Sequence, residues 1–249
     1  MSDFDRDPSL PAIREQYQRL LQRLEANERE FRRLGRSVLR VQEDERRRLA
    51  RELHDGIGQN LTALKHRLTQ LGNGLPDDPV LRAQLEAAMA LCGDTLDDTR
   101  ELSRLLRPPI LDDLGLAPAL QWLARSQGEA SQLSITVEME PLPALDDDLQ
   151  TLLFRIAQEA LNNVARHARA ENVLLRLVMR GGCLQLQVVD DGRGCDPETA
   201  LRSGGSGLGG MRERLRLHGG RLDLHSSPGN GARIRAVIPL DADRPLDAG

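Results

Sequence analysis

The sequence predicts an α+β chain: a long helical hairpin forming a dimeric four-helix bundle with an N-terminal coiled coil, followed by an α/β sandwich. Three observations predict it. Apolar residues recur at spacings of three and four through the first part of the chain. Glycine and proline clusters cut that pattern into two helices. Beyond Pro108-Pro109, alternating apolar residues and glycine-marked turns take over.

A heptad starts at Leu10. Its a positions hold Leu10, Tyr17, Leu24, Phe31 and Val38, and its d positions hold Ile13, Leu20, Asn27, Leu34 and Val41. Such a seam buries itself against a second helix, as in a coiled coil. A long amphipathic helix packed on its own chain is the alternative. Asn27 is the one polar seam residue, of the kind that sets register at a cost in stability. Continuing the heptad would put Glu45, Arg48 and Glu52 in the seam, so the stripe shifts phase and resumes at Leu49, Leu53, Ile57, Leu61, Leu64, Leu68 and Leu71. A four-residue phase insertion of this kind changes supercoiling locally.

Gly72-Asn73-Gly74 and Pro76 end this helix. A second follows, with Leu81, Leu85, Ala88, Cys92, Thr99, Leu102 and Leu106 on one face, and Pro108-Pro109 stops it. A lone hairpin buries too little, and a second copy completes a four-helix bundle. The remainder reads as a strand over 133–140, a helix over 149–168, a hairpin of 173–179 and 184–189 about Gly181-Gly182, a helix over 208–218, and closing strands at 222–224 and 234–238.

Composition narrows the function. The 249 residues are 39% hydrophobic but only 2% aromatic, so the core must be built from Leu, Val, Ile and Ala. A net charge of −4 gives no basic footprint, which argues against direct nucleic-acid binding. Cys92, Cys183 and Cys195 are scattered without metal-ligand spacing, as suits a reducing cytoplasm. No stretch approaches the ~20 apolar residues of a membrane span, and the polar start, Met1 to Asp7, does not read as a signal peptide.

Four stretches carry chemistry. In Arg51-Glu52-Leu53-His54-Asp55, His54 follows a residue of the core stripe and so turns ~100° away from it, toward solvent. Its imidazole can act as a nucleophile if Asp55 takes the ring proton. Gln59 lies five residues on, ~140° round an α-helix from His54, and its amide can position a water. In Gln158-Glu159-Ala160-Leu161-Asn162-Asn163, Glu159 and Asn163 share one helix face and suit a Mg²⁺ that bridges phosphates. Arg166 and His167 close the same stretch and are grouped with the nucleotide-binding residues. In Asp190-Asp191-Gly192-Arg193-Gly194, a strand ends in a carboxylate that can accept from an exocyclic amino group, beside glycines that admit a flat ring. Gly204-Gly205-Ser206-Gly207-Leu208-Gly209-Gly210 precedes a helix whose N–H groups can cradle phosphates. Each stretch alone reads equally as a surface feature; their order in one chain does not.

That ordered set resembles the histidine kinases that work with NarL/LuxR-type response regulators, over roughly residues 42–240. Arg51 to Gln59 resembles their phosphoacceptor box, Glu159 to Asn163 their N box, Asp190-x-Gly192-x-Gly194 their G1 box, and Gly205-x-Gly207-Leu208 their G2 box. Arg107-Pro108-Pro109 through Leu116 resembles their interdomain segment. The heptad gives an N-terminal coiled-coil signalling helix (1–41) and the polar end a disordered tail (242–249); between them the resemblance implies a dimerisation and histidine phosphotransfer hairpin (42–107) and a catalytic ATP-binding domain of the Bergerat type (108–241). It implies ATP and Mg²⁺ as cofactors, with Asn163 as metal ligand, Glu159 as its helper and Asp190 as adenine contact. It also implies a homodimer that phosphorylates His54, passes the group to a receiver-domain aspartate, and supports phosphatase activity through Gln59. One departure is Ala232, where the family usually has Thr. Topoisomerase and mismatch-repair ATPases share this ATP-binding fold and are the rival class; a dimeric scaffold that binds no ATP is the non-enzymatic alternative.

Overall fold

The structure, a computed structural model, describes residues 10–76, 78–197, 199 and 206–240. The polar start, Gly205 and the expected tail lie outside them.

Helix α1 (Leu10–Arg51) continues through a π-helical stretch (Glu52–Gly58) into α2 (Gln59–Gly74). The phase shift read in the sequence therefore does not break the helix. Just past it, the backbone winds into the wider turns of i→i+5 bonding around His54. Helix α3 (Pro79–Leu106) folds back along this rod, started by Pro79 and by Asp78, whose carboxylate accepts from the N–H groups of Val80 and Leu81.

Within one chain the hairpin buries little. Ala50, Cys92, Leu96, Thr99 and Ser103 are buried, while Ile57, Leu64, Leu71, Leu91 and Leu102 stay exposed. The heptad residues Tyr17, Leu24, Leu34, Val38 and Val41 are exposed as well. Two hydrogen bonds fasten the helices. Ser103 Oγ donates to the Ala50 carbonyl at 2.9 Å, and Cys92 Sγ donates to that of Leu61 at 3.4 Å.

The second domain opens with a short α4 (Pro109–Asp113) and α5 (Leu116–Ser131). Sequence reading missed α5, although Leu116, Ala119, Leu120, Leu123 and Ala124, all buried, carry the helical period. Strand β1 (Ser134–Met139), α6 (Asp147–Asn163), a second π-helical stretch (Val164–Ala168), β2 (Asn172–Arg180), β3 (Cys183–Asp190), α7 (Ser206–Leu217), β4 (Arg221–Ser226) and β5 (Ala232–Pro239) follow. The expected single helix over 149–168 is thus α6 plus a π turn.

The sheet runs β1-β2-β3-β5-β4, with β1 parallel to β2 and every other pair antiparallel. Register puts Val137, Leu175, Val188 and Ile234 in one cross-strand row and Met139, Leu177, Leu186 and Ala236 in the next, on one face, where they join the core formed with α5, α6 and α7. The other face carries ion pairs beside buried Val178 and Val237: Arg176 pairs with Glu138 at 2.7 Å and Arg235 with Asp223 at 2.8 Å. Alternation in β3 follows directly from this two-layer packing.

Because Ser103 is buried, Ser103→Ala leaves the Ala50 carbonyl without its partner. It should lower stability by about 1–3 kcal/mol, read as a lower urea midpoint at unchanged slope.

Candidate functional site

Four segments distant in sequence meet at a cavity of about 340 Å³ between α6 and the C-terminal half of the sheet. Strand β3 delivers Asp190 to its floor. This carboxylate is only 9% exposed, and its Oδ1 accepts from the Gly192 N–H at 3.0 Å. Burial raises its pKa above the ordinary carboxylate value, against the opposing hydrogen bonds from the Gly192 and Ala232 amides. Neighbouring Asp191 turns outward. Its carboxylate accepts from the N–H groups of Glu171 and Asn172 and from the Asn172 side chain, which lowers its pKa and ties the loop to the start of β2.

The Asp190–Gly194 loop is held from two sides. A Cβ on Gly192 would overlap the Ala168 carbonyl, which accepts from Arg193 N–H at 2.8 Å. Gly194 has φ +65° and a Cβ there would overlap the Ser227 carbonyl, so both glycines are required by close backbone approach. Gly229 and Gly231 of the β4–β5 turn donate to the Arg193 and Gly192 carbonyls.

Helix α6 supplies Asn163 and Glu159. The Nδ2 atom of Asn163 is buried and has no hydrogen-bond partner among the described residues. A Cβ on Gly207 would overlap Glu159 Oε1 and lie 3.3 Å from both Asn163 side-chain polar atoms, so the start of α7 rests directly on these two side chains. The glycine stretch and the Glu…Asn pair are therefore one site. The orphaned amide fits a polar ligand, and since an amide offers both an oxygen acceptor and an NH₂ donor, it suits a metal ion or a phosphate oxygen.

His167, Gly194, Gly207 and Leu208 also line the cavity. Arg166 does not: it is exposed and is not among the described lining residues. Gly192 supports the loop from behind. Sequence reasoning missed Cys195, Leu224 and Ile234 in the lining; strand alternation carries the latter two, but nothing in the sequence says which cavity they face. Ala232 does line the cavity. The nearest hydroxyl across the strand pair, that of Ser226, is spent on the Gly231 carbonyl at 2.7 Å and the Cys195 N–H at 2.8 Å.

A second site lies on the hairpin. His54 and Asp55 are exposed. His54, Gln59, Thr62, His66 and Arg100 line a groove of about 530 Å³ between the two helices. The ~140° separation expected for His54 and Gln59 assumed an α-helix; the wide π turns bring a residue five positions on back toward the first, and both reach one groove.

An exposed histidine on a helical hairpin thus precedes an α/β domain that carries this cavity. The comparisons agree: the histidine kinase family matches residues 45–111, and the histidine kinase-, DNA gyrase B- and HSP90-like ATPase family matches 148–242. Together the two matched domains make the NarL-type histidine kinase architecture. It is 36% identical over 220 residues to sensor histidine kinase MctS of Rhizobium johnstonii, covering 86% of this chain and 47% of that protein. It is 35% identical over 214 residues to sensor histidine kinase ComP of Bacillus subtilis, covering 83% and 28%. It is 36% identical over 238 residues to the signal transduction histidine-protein kinase/phosphatase UhpB of Salmonella typhimurium, covering 91% and 44%. The chain spans half or less of the length of each relative. The histidine kinase match over the hairpin decides against the topoisomerase class.

Gly207→Ala forces the Glu159 carboxylate aside and should weaken nucleotide binding about tenfold, or ~1.4 kcal/mol, in a fluorescent-nucleotide titration. Asp190, with its folded-state pKa raised, contributes stability that is fully present below the unfolded value and lost as pH rises through the folded one. Asp190→Asn should therefore remove a fall in stability with rising pH, leaving the ligand-free variant at least as stable as wild type at pH 7. Paired denaturation curves from pH 4 to 7, with the wild-type-minus-variant difference as readout, check the sign.

Proposed function

We propose that this chain is the catalytic core of a two-component sensor histidine kinase, which uses ATP to phosphorylate His54 and passes the phosphoryl group to an aspartate of a response regulator. The observation that carries the proposal is the convergence of Gly207, Glu159, the orphaned Asn163 amide and buried Asp190 on one cavity, in a chain whose hairpin exposes a histidine.

Each residue then has a task. Asp190 accepts from the adenine amino group, and the pinned glycine loop lets the backbone approach the ring. The α7 N-terminus donates its free N–H groups to phosphate oxygens. Asn163, through its amide oxygen, and Glu159 would hold Mg²⁺, which when bound neutralises phosphate charge in the in-line transfer. An imidazole nitrogen of His54 attacks the γ-phosphorus, the bond to the β-phosphate oxygen breaks, and ADP leaves. The ring proton passes to the Asp55 carboxylate. For the reverse activity, the Gln59 amide orients a water toward the phosphoaspartate of a regulator docked in the groove.

The chain acts as a cytoplasmic homodimer, with a regulator of the NarL/LuxR type as partner. The exposed stripe from Ile13 to Val41 and its continuation through Ile57, Leu64 and Leu71 supports the dimer, since an apolar face this long calls for a second helix pair. Among the described residues, no helix is long and apolar enough to cross a membrane.

With γ-labelled ATP, His54→Gln should abolish labelling while nucleotide binding persists; undiminished label would overturn the assignment. Asp55→Asn should slow labelling by about 10²-fold or more. Gln59→Ala should leave labelling near normal yet prolong the regulator's phosphoaspartate lifetime; a lifetime equal to wild type would return Gln59 to a structural role. Light scattering at micromolar concentration should give twice the chain mass.

A further inference from the structure

Helix α6 gives way after Asn163 to the wider turns of Val164–Ala168, and Val164, His167 and Ala168 of that stretch line the nucleotide cavity. The last carbonyls of a helix have no partner within it and must find one elsewhere. Two of them here find the same residue. The Nε of Arg193 donates to the His167 carbonyl at 2.6 Å, and the backbone N–H of Arg193 donates to the Ala168 carbonyl at 2.8 Å. Arg193 belongs to the loop that carries Asp190, and its own carbonyl accepts from Gly229 of the β4–β5 turn at 2.6 Å. Arg169 then leaves the helix in the left-handed region, at φ +54°, so the chain turns away directly behind this anchor.

Arg193 is exposed and is not among the described residues that line the cavity. What it holds is the winding of the stretch that does line it. In an α-helix, a residue three positions past Asn163 lies ~60° round from it. The wider turns of i→i+5 bonding carry that residue further away. Arg166 accordingly stands outside the cavity lining while His167 is part of it. Single π turns inside helices are rare and often mark functional sites. This one has a tertiary fastening on its final two carbonyls, and the fastening comes from the loop that carries Asp190.

We propose that Arg193 is a positioning residue: by holding the His167 carbonyl it keeps this turn wound and the His167 imidazole at the cavity, where the ring contacts the bound adenine nucleotide. The inference rests on the nucleotide-binding reading above. His167 stands between two parts of that site. Asn163 lies four residues back along the helix, and the next residue, Ala168, has the carbonyl that a Cβ on Gly192 would overlap. The ring is therefore placed between the proposed metal and phosphate end and the proposed adenine end. A neutral imidazole offers one donor and one acceptor nitrogen, which suits a sugar hydroxyl or a phosphate oxygen. Loss of the Arg193 side-chain bond frees the His167 backbone, and the ring then has to be ordered at the moment of binding.

Two substitutions of equal reach separate the hydrogen bond from the charge. Counted along the side chain, glutamine places an N–H donor where arginine has Nε, and methionine places a methyl group there. In the full chain, Arg193→Met should weaken binding of a fluorescent adenine nucleotide about fivefold and raise hydrogen exchange over 164–169. Arg193→Gln, neutral but still a donor, should keep both near wild type. In a His167→Ala background, itself weakened, Arg193→Met should cost nothing further, because residues that act as one unit are not additive. Wild-type exchange or wild-type affinity in Arg193→Met would overturn the positioning role. Glutamine as weak as methionine would overturn it too, since the charge would then be what matters. A full additional loss in the His167→Ala background would show that Arg193 acts through some other group, and wild-type affinity in His167→Ala alone would remove the contact. If the unaltered chain bound no adenine nucleotide, the nucleotide-binding reading would fail and the contact with it, while exchange over 164–169 would still judge the anchor.

Discussion

Helix α6 packs Leu153, Phe154, Ile156 and Leu161 into the core with essentially no exposure, and this burial fixes its rotation about its own axis. Because the helix cannot turn, its remaining residues have fixed addresses. Glu159 and Asn163 meet the start of α7 at the nucleotide cavity, and Arg155 meets the hairpin. Substituting the core face would thus disturb both sites without touching either. A side chain in an interior packed at crystalline density has no room to re-aim its neighbours.

The cavity itself depends on a second constraint, the stacking of the β4–β5 turn on the Asp190–Gly194 loop. Both segments are glycine-rich because two stretches of backbone approach each other where side chains would stand. A Cβ on Gly231 would overlap the Asp190 carbonyl, just as one on Gly194 would overlap that of Ser227. Ser226 closes the arrangement by bonding to both segments. The pinned loop leaves Asp190 buried, with its carboxylate held in place before any ligand arrives.

Helix α1 joins two kinds of contact on two faces. Leu34, Val38 and Val41 form an exposed apolar line suited to the proposed second copy, while Gly35, Arg40, Glu43 and Arg47 face the chain's own catalytic domain. The first kind of contact is non-directional and tolerates small shifts. The second depends on hydrogen-bond geometry and does not.

Wherever an element buries one face against one neighbour, periodicity alone determined it: the hairpin, the alternating strands β2 and β3, and helix α7 were legible because apolar spacing records burial. His54, Glu159, Asn163, Asp190 and Gly207 were legible because their residue types and order are unusual together. Helix α5 was overlooked although its period is present. The π turn at His54 was not read from the sequence, since an i→i+5 winding changes no residue type and leaves only a phase shift in the apolar stripe. Nor could the sequence show that Glu43 pairs with Arg155, 112 positions away, in a chain holding 34 Lys and Arg against 38 Asp and Glu. Local pattern specifies which face is buried. Which charged side chain meets which partner is settled only when the domains pack, because charge carries sign but no address.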